Sequence, residues 1–447
     1  MRVLGLDIGT TTVCGTVVDV STGDVVAVKT LANDTFIEGE SFERRQDPDK
    51  IFALVESLYA ELCTPENNVK AVGVTGQMHG IVYLDKKGTP VSLLYTWQDR
   101  RGDLPMAKGQ TYTEFLSSCT GYPLAAGFGS VTHFYNQKNN LVPQNAAVFC
   151  TIHDYTAMKL AQRSTPVVHV SDAASLGLFA LPAGDFDHEA IQKAQMNPAM
   201  FPEVTDKGAP IGQTAEGLPV MPAIGDNQAS FIGSVDRPSA ILVNVGTGSQ
   251  ISVLSKALML SEAAETRPMG GGEYLLVGSS LCGGRAYQML SEFFAAAVKE
   301  ATGQEVKMYP WMDRLAEDFE TLTDKLTVST RFAGTRKIPS ERGGVYNLSL
   351  DNFTPAHFIV GVMEGVVEEL FEVYSKLEGL SPEMMVGSGN GIRKSPVLQR
   401  IFEKRFGLPL RIPRHSEEAA YGAALFAMAG AGFYKNLAEA QKVIQYL

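Results

Sequence analysis

The apolar and polar positions at the start of the chain predict short β-strands separated by polar turns. An apolar run over 3–8 ends at Gly9-Thr10-Thr11-Thr12, and a second apolar run covers 13–20. After a polar turn at 21–24, a third run covers 25–28. Apolar runs bounded by Gly, Thr and Asp are typical of strands in a hairpin. The chain is therefore predicted to begin with a hairpin that a third strand extends.

Three later segments have features of α-helices. The first begins at Pro48, and the second is capped by Thr354 with Pro355 in its first turn. The third is predicted to start at Ser416, whose hydroxyl would cap a helix with carboxylates near its positive end. In the first two segments apolar residues recur at helical spacing: Ile51, Leu54, Val55, Leu58 and Leu62, then Phe358, Val362, Val366, Leu370 and Val373. Gly361 and Gly365 predict the close approach of another element.

The hairpin pattern occurs twice. Residues 240–255 again read as apolar strand, one polar residue, Gly-Thr, small polar residues and apolar strand. Aligning Gly9 with Gly246 places Asn244 on Asp7 and Thr247 on Thr10. A duplicated domain is the economical interpretation, and we expect domains at 1–235 and 236–447.

Composition narrows the class of protein. A chain of 447 residues is too long for one ordinary core, and 45% hydrophobic with 19% charged residues is typical of a globular protein. The net charge of -11 argues against a nucleic-acid partner. The five scattered cysteines have no metal-ligand spacing, and no apolar run approaches the ~20 residues of a membrane span. A cytoplasmic protein without a membrane partner is predicted.

Two carboxylates at predicted strand ends are the candidates for chemistry. Asp7 ends an apolar strand, where a hydrated cation is one way to compensate its charge, and the Gly9 turn offers amides and hydroxyls to phosphates. Asp226, in Gly225-Asp226-Asn227-Gln228, could act as a base toward a hydroxyl or as a Mg²⁺ ligand. A plain turn explains either segment taken singly. The repetition of the hairpin makes coincidence a poor explanation.

Other polar loops have chemistry that suits a polyol. Gln77, Met78, His79 and Trp97 offer an amide, an imidazole and an aromatic face, although a single His or Trp more often serves packing. The Gly387-Ser388-Gly389-Asn390-Gly391 loop fails the spacing of a dinucleotide fingerprint, and no Walker sequence occurs. Its small residues could let an adenine ring lie against the backbone.

Six motifs occur in one order along nearly the whole chain: Asp7-Ile8-Gly9-Thr10-Thr11, Gly76-Gln77-Met78-His79-Gly80, Gly225-Asp226-Asn227, Val245-Gly246-Thr247-Gly248, Gly387-Ser388-Gly389 and Glu418-Ala419-Ala420-Tyr421-Gly422-Ala423-Ala424. Together they resemble the FGGY carbohydrate kinase family. The resemblance implies an α/β fold of two duplicated actin/hexokinase-like domains of the ribonuclease-H type, with ATP and sugar in the cleft between them.

Site roles follow from the same resemblance. Asp226 would be the catalytic base, and Asp7 and Asp226 would hold Mg²⁺. The remaining expectations group by ligand: the phosphates of ATP at Gly9, Thr10, Thr11, Thr12, Gly246 and Thr247; adenosine at Gly387, Ser388, Gly389 and Asn390; the sugar at Gln77, Met78, His79, Trp97, Asp226 and Asn227.

The motifs specify the kinase reaction more narrowly than they specify the sugar that accepts the phosphate. Thr96-Trp97-Gln98-Asp99 resembles the corresponding segment of sedoheptulokinase-like members, which favours sedoheptulose, converted to sedoheptulose 7-phosphate. Xylulose, ribulose and glycerol are alternatives within the family. A nucleotide-binding regulatory protein of the actin-like fold is the alternative of another class, and the sequence also leaves room for a homodimer.

Overall fold

The computed structural model describes residues 1–106, 109–335, 338 and 340–447. The first half also contains 3-10 turns at 101–103, 174–176 and 198–200. Its strands and helices are β1 (Arg2–Ile8), β2 (Thr12–Asp19), β3 (Val25–Ala32), β4 (Phe36–Ile37), β5 (Arg45–Gln46), α1 (Pro48–Leu62), β6 (Val69–Gly76), β7 (Val82–Leu84), β8 (Leu94–Tyr95), α2 (Tyr112–Thr120), α3 (Gly129–Lys138), β9 (Val148–Cys150), α4 (Ile152–Leu160), β10 (Val167–His169), α5 (Val170–Ala173), β11 (Phe179–Ala180), β12 (Asp185–Phe186), α6 (His188–Lys193), β13 (Glu203–Thr205), β14 (Gly212–Gln213), β15 (Pro219–Val220), β16 (Ile224–Gly225) and α7 (Asp226–Ser234).

The second half begins with a strand six residues after α7 ends. Its elements are β17 (Ala240–Val245), β18 (Ser249–Ser255), β19 (Glu265–Gly270), β20 (Glu273–Ser280), α8 (Gly284–Thr302), α9 (Tyr309–Ala316), β21 (Thr327–Ser329), β22 (Gly344–Tyr346), α10 (Pro355–Tyr374), β23 (Met384–Ser388), α11 (Asn390–Arg393), α12 (Pro396–Phe406), β24 (Leu410–Arg411), α13 (Glu418–Gly430) and α14 (Leu437–Gln441).

The main sheets of the two halves have the same connectivity. In the first, antiparallel β3, β2 and β1 continue into β6 and β15, which run parallel to β1. In the second, antiparallel β20, β18 and β17 continue into β23 and β24, which run parallel to β17. The order of strands and the point where pairing changes from antiparallel to parallel are thus repeated. The predicted duplicated α/β fold is confirmed.

Two of the predicted helices form as their patterns indicate. The buried face of α1 includes Ile51, Val55, Leu58 and Leu62. In α10 the Thr354 side chain accepts from the backbone N–H of His357, and a Cβ at Gly365 would lie 2.3 Å from the carbonyl oxygen of Val328 in β21. The glycines of α10 therefore admit a neighbouring strand, as predicted.

The start of the third predicted helix is different. Its N-cap is Glu417, and no side chain caps its first turn, so the predicted cap by Ser416 is wrong. Ser416 is exposed and lies one residue too early to reach the free amides of α13. The carboxylate of Glu418 in the first turn remains suited to the positive end of the helix dipole.

Helix α13 packs against the sheet of the first half, although it comes from the end of the chain. Its backbone lies so close to β1 that a Cβ at Gly5 would be 1.9 Å from the Ala420 carbonyl oxygen. It also crosses α7 without side chains between the two backbones, because a Cβ at Gly422 would be 1.8 Å from the Ala229 carbonyl oxygen. The α7–α13 crossing therefore joins the last helix of the first half to a helix near the end of the chain.

Replacement of Gly422 by Ala tests this crossing. Ala is the better helix former, so on helix propensity alone the variant would be more stable. Because the added Cβ meets backbone, we expect instead a loss of about 1–3 kcal/mol in the free energy of unfolding, measured by chemical denaturation. Ala297→Val, on the exposed side of α8, is the control. Equal or greater stability of the Gly422 variant would contradict the close crossing.

Candidate functional site

Three strands of the first half end at the same edge of the sheet. Asp7 in β1 lies beside Thr75 in β6, and the next position of β6, Gly76, pairs with both β1 and Gly225 of β16. The Thr75 hydroxyl donates to the Ile224 carbonyl oxygen at 2.7 Å. Helix α7 begins immediately after β16, at Asp226. The register of three strands thus brings the two predicted carboxylates to one edge.

Negative charge accumulates at this edge. The pKa of the Asp7 carboxyl is raised to about 7, chiefly by burial and next by the negative charge of Asp226. Glu417, at the start of α13, raises this pKa further, whereas His153 lowers it. A cluster of carboxylates that burial and mutual repulsion destabilise is suited to a hydrated divalent cation, since Mg²⁺ prefers carboxylate oxygens and water. The donor set therefore fits Mg²⁺.

The first Gly-Thr turn is held by amide side chains. The Thr10 hydroxyl donates to Gln77 Oε1 at 3.2 Å, Gln77 Nε2 donates to Gln46 Oε1 at 2.9 Å, and Gln46 Nε2 donates to the Thr10 carbonyl oxygen at 2.9 Å. Trp97 Nε1 donates to the Thr10 hydroxyl at 3.0 Å. Gln77 is buried and supports the turn, whereas Trp97 is 47% exposed and keeps its ring face open. Thr11 and Thr12 lie exposed beside Thr10.

His79 is fixed in one tautomer by a buried hydrogen-bond network. Its Nδ1 lies 2.7 Å from the Ser175 carbonyl oxygen, and its ring stacks on Phe128 with centroids 4.7 Å apart. The Ser175 hydroxyl donates to Asp172, whose carboxylate is 3.1 Å from His153 Nε2. A carbonyl only accepts, so Nδ1 carries the proton, and burial followed by the charge of Arg267 lowers the pKa of the ring. In the neutral ring, Nε2 is an acceptor.

The residues around Asp226 position its carboxylate. Asn227 Nδ2 donates to Asp226 Oδ1 at 2.9 Å and lies 3.9 Å from the sulfur of Met78. Met78 is buried and lies against Gly225, where a Cβ would be 2.6 Å from its terminal methyl. The structure thus brings Met78, Asp226 and Asn227 together, with His79 close enough for the charge of Asp226 to raise the pKa of its ring.

The second Gly-Thr turn lies under the start of a long helix. The backbone N–H of Gly284 donates to the Gly246 carbonyl oxygen at 2.8 Å, and that of Arg285 donates to the Thr247 carbonyl oxygen at 3.0 Å. A Cβ at Gly284 would lie 2.4 Å from the Gly246 oxygen. The amides of Gly284 and Arg285 are therefore engaged, and it is the helix dipole that leaves this N-terminus positive and attractive to anions. The turn and the start of α8 together are suited to phosphate.

A cavity of about 750 Å³ opens beside this turn. That volume lies within the usual range for a small-molecule site. Of the residues predicted for nucleotide binding, Gly246, Thr247, Gly389 and Asn390 line it. Gly387 and Ser388 instead lie buried in β23, where the Ser388 hydroxyl accepts from Asn244 Nδ2 at 2.8 Å. These two residues support the cavity wall from behind.

Sequence reasoning missed most of the cavity wall. The missed residues come from α8, α9, α10 and the region of α11 and α12: Gly283, Gly284, Arg285, Tyr287, Gln288, Tyr309, Asp313, Val362, Met363, Val366, Gly391, Lys394, Ser395 and Leu398. A pair of glycines between a strand and a helix, at 283–284, was the available signal for a phosphate site. Helical periodicity does not reveal which ligand an exposed helix face meets.

Duplicated sheets, paired Gly-Thr turns, a carboxylate edge in the first half and a ligand-sized cavity in the second are features of an ATP-dependent sugar phosphotransferase. Residues 2–233 match the FGGY family of carbohydrate kinases, N-terminal domain, and residues 241–431 match the C-terminal domain of the same family. The chain belongs to the FGGY family of carbohydrate kinases, and the chemistry it performs is ATP-dependent transfer of phosphate to a sugar.

Known relatives differ in their substrates. Human sedoheptulokinase is 26% identical over 94% of this chain and 96% of that protein. Gluconokinase of Bacillus subtilis is 21% identical over 96% of this chain and 87% of that protein. The crystal structure of xylulose kinase from Rhodospirillum rubrum matches with a TM-score of 0.85, at 23% identity over 100% of this chain and 93% of that one. No helix in the described residues has the length and apolarity of a membrane span.

Replacement of Gly284 by Val tests the second turn. The larger side chain would meet the Gly246 carbonyl oxygen and push the start of α8 away from the turn. We expect affinity for ADP to fall at least about tenfold, which corresponds to ~1.4 kcal/mol, measured by isothermal titration calorimetry. Ala296→Val, on the exposed side of the same helix, serves as the control. Unchanged ADP affinity in a folded Gly284 variant would contradict the assignment of this turn to phosphate.

Proposed function

We propose that this kinase phosphorylates the primary hydroxyl of a ketose, and that its acceptor is sedoheptulose, which becomes sedoheptulose 7-phosphate. The observation that carries this proposal is the full-length similarity to the sedoheptulokinases of human and mouse, at 26% and 27% identity over 94% of the chain. The Thr96–Asp99 segment supports it, because Trp97 is held against Thr10 while nearly half of its surface stays exposed. An aromatic face suits the C–H groups of a sugar.

We assign the catalytic base to Asp226. Its carboxylate lies at the first position of α7 and receives a hydrogen bond from Asn227 at 2.9 Å. In the proposed step, one oxygen of Asp226 accepts the proton of the sugar hydroxyl while the hydroxyl oxygen attacks the γ-phosphorus and the bond to ADP breaks. Asn227 holds the carboxylate in place, and we assign five residues to the sugar: Gln77, Met78, His79, Trp97 and Asn227.

We assign Mg²⁺ to Asp7 and Asp226. The pKa of Asp7 is raised chiefly by burial and next by the negative charge of Asp226, and a cation between the two carboxylates would oppose both effects. When bound, the ion would offset charge on the phosphates of ATP. The first turn, Gly9 to Thr12, and the second turn, Gly246-Thr247, would bind phosphate oxygens. Gly389 and Asn390 would border adenosine, with Gly387 and Ser388 behind them.

We further propose two domains, 1–235 for sugar and 236–447 for nucleotide, with closure that excludes water from the cleft. The strand pairing of each half supports the division, and α13 then crosses back to the first domain. A cytoplasmic location is also proposed, because Cys14, Cys150 and Cys282 are buried free thiols, a state that suits a reducing compartment.

Asp226→Asn tests the base. The amide keeps the shape of the side chain and cannot accept the proton, so we expect kcat to fall about 10²–10⁴-fold, measured by sugar-dependent release of ADP. Asp351→Asn, in an exposed loop of the second half, should retain normal turnover. Near-normal turnover in the Asp226 variant would overturn its assignment as base.

A panel of acceptors tests the substrate. We expect kcat/KM to be highest for sedoheptulose and at least about tenfold lower for xylulose, ribulose, glycerol and gluconate, because a site built for one set of hydroxyls leaves its polar groups unpaired with another. Coupled measurement of ADP formation gives each value. A preference for xylulose, ribulose or glycerol would replace sedoheptulose and leave the kinase assignment intact.

A further inference from the structure

Strand β19 of the second half reaches the sugar side of the cleft. Gln228, two residues after Asp226, donates from Nε2 to the Pro268 carbonyl oxygen at 3.1 Å. A Cβ at Gly270 would lie 2.9 Å from His169 Nε2 in the first half. Gln228 also donates to the Ser171 carbonyl oxygen at 3.0 Å, so one side chain ties β19 to the elements around Asp226.

Arg267, in the middle of β19, is buried with one donor unused. Its residue surface is only 7% exposed. Its Nη2 donates to Glu265 at 2.7 Å, whereas Nη1 is buried and has no hydrogen-bond partner within the part of the chain that the structure describes. Buried polar groups are nearly always hydrogen-bonded, since an unpaired donor loses its interaction with water without replacement. The unpaired Nη1 points to a ligand.

Arg267 and His79 are connected through the segment 171–175. Gln228 links Pro268, the residue after Arg267, to Ser171, and Ser175 holds the imidazole of His79. Burial lowers the pKa of His79, and the positive charge of Arg267 lowers it further. His79 Nδ1 is held by the Ser175 carbonyl oxygen, which leaves Nε2 as an acceptor. A donor from one half and an acceptor from the other are complementary to a single hydroxyl group, which both accepts and donates.

We propose that Arg267 binds the acceptor sugar, donating from Nη1 to a hydroxyl or carbonyl oxygen beside His79, and that it thereby contributes to specificity from the nucleotide-bearing half. This inference rests on the proposed function. Because Glu265 already balances the charge of Arg267, the pair favours a neutral polyol over a sugar acid. A sugar bound by β19 and by the loop of His79 would also link the two halves when the cleft closes.

Arg267→Met is the first test, with the best acceptor of the panel as substrate. We expect its KM for that sugar to rise at least tenfold while its KM for ATP stays within about twofold of wild type. Arg237→Met is the matched control, because Arg237 is exposed and pairs with Asp236. A double variant, Arg267→Met with Glu265→Gln, removes the charge left on Glu265 and should show the same increase in sugar KM.

The outcomes separate this inference from the proposed function. A folded Arg267 variant with unchanged sugar KM would overturn the role of Arg267 and leave the substrate assignment standing. Equal increases in KM for the sugar and KM for ATP would also overturn it, because such increases indicate that Arg267 has a structural role. If the wild-type enzyme prefers another neutral sugar, only the substrate assignment fails. The KM of the Arg267 variant is then measured with that sugar, and the same tenfold increase is expected. A wild type that prefers gluconate contradicts both.

Discussion

The arrangement of the molecule depends on the close crossing of two helices that have no side chains between them. Gly233 and Gly422 let the backbones of α7 and α13 meet, since a Cβ at either position would lie within about 2 Å of a carbonyl group of the opposite helix. Helix α7 begins with Asp226, and α13 begins at Glu418 with Glu417 as its cap. The crossing therefore sets where the carboxylate groups of both helices lie relative to Asp7.

That arrangement concentrates negative charge around Asp7, and the nearby groups of the protein balance this charge only in part. Burial raises the pKa of Asp7 most, Asp226 and Glu417 raise it further, and His153 opposes them. The Nε2 atom of His153 lies 3.1 Å from the Asp172 carboxylate, so its ring is engaged there as well. An uncompensated cluster of this kind is costly in the free protein, and a bound divalent cation relieves the cost. The cost in stability falls at the edge of the sheet where we propose that Mg²⁺ binds.

Sequence patterns predicted the backbone of this fold better than its ligand contacts. The repeat of Gly9-Thr10 at Gly246-Thr247 was enough to predict duplicated sheets, because the same order of apolar strand, polar turn and apolar strand surrounds both turns. The assignment of Gln77 to the sugar came from its amide chemistry and from the family resemblance, and neither revealed that this amide also bonds Thr10 and Gln46. Arg267 carried no signal at all, since its position depends on how β19 meets the first half, which no local pattern encodes.

Duplication gave the two halves equivalent strand ends, but the residues at those ends differ in charge. In the first half the position holds Asp7 beside Thr75, and in the second it holds Asn244 beside Ser388. A carboxylate repels phosphate unless a cation stands between them, whereas the Asn244 amide carries no charge and donates to the Ser388 hydroxyl. The two halves of the duplicated fold thus differ by one charged side chain at this position, and of the two turns the first is the one whose strand end carries a carboxylate suited to a cation.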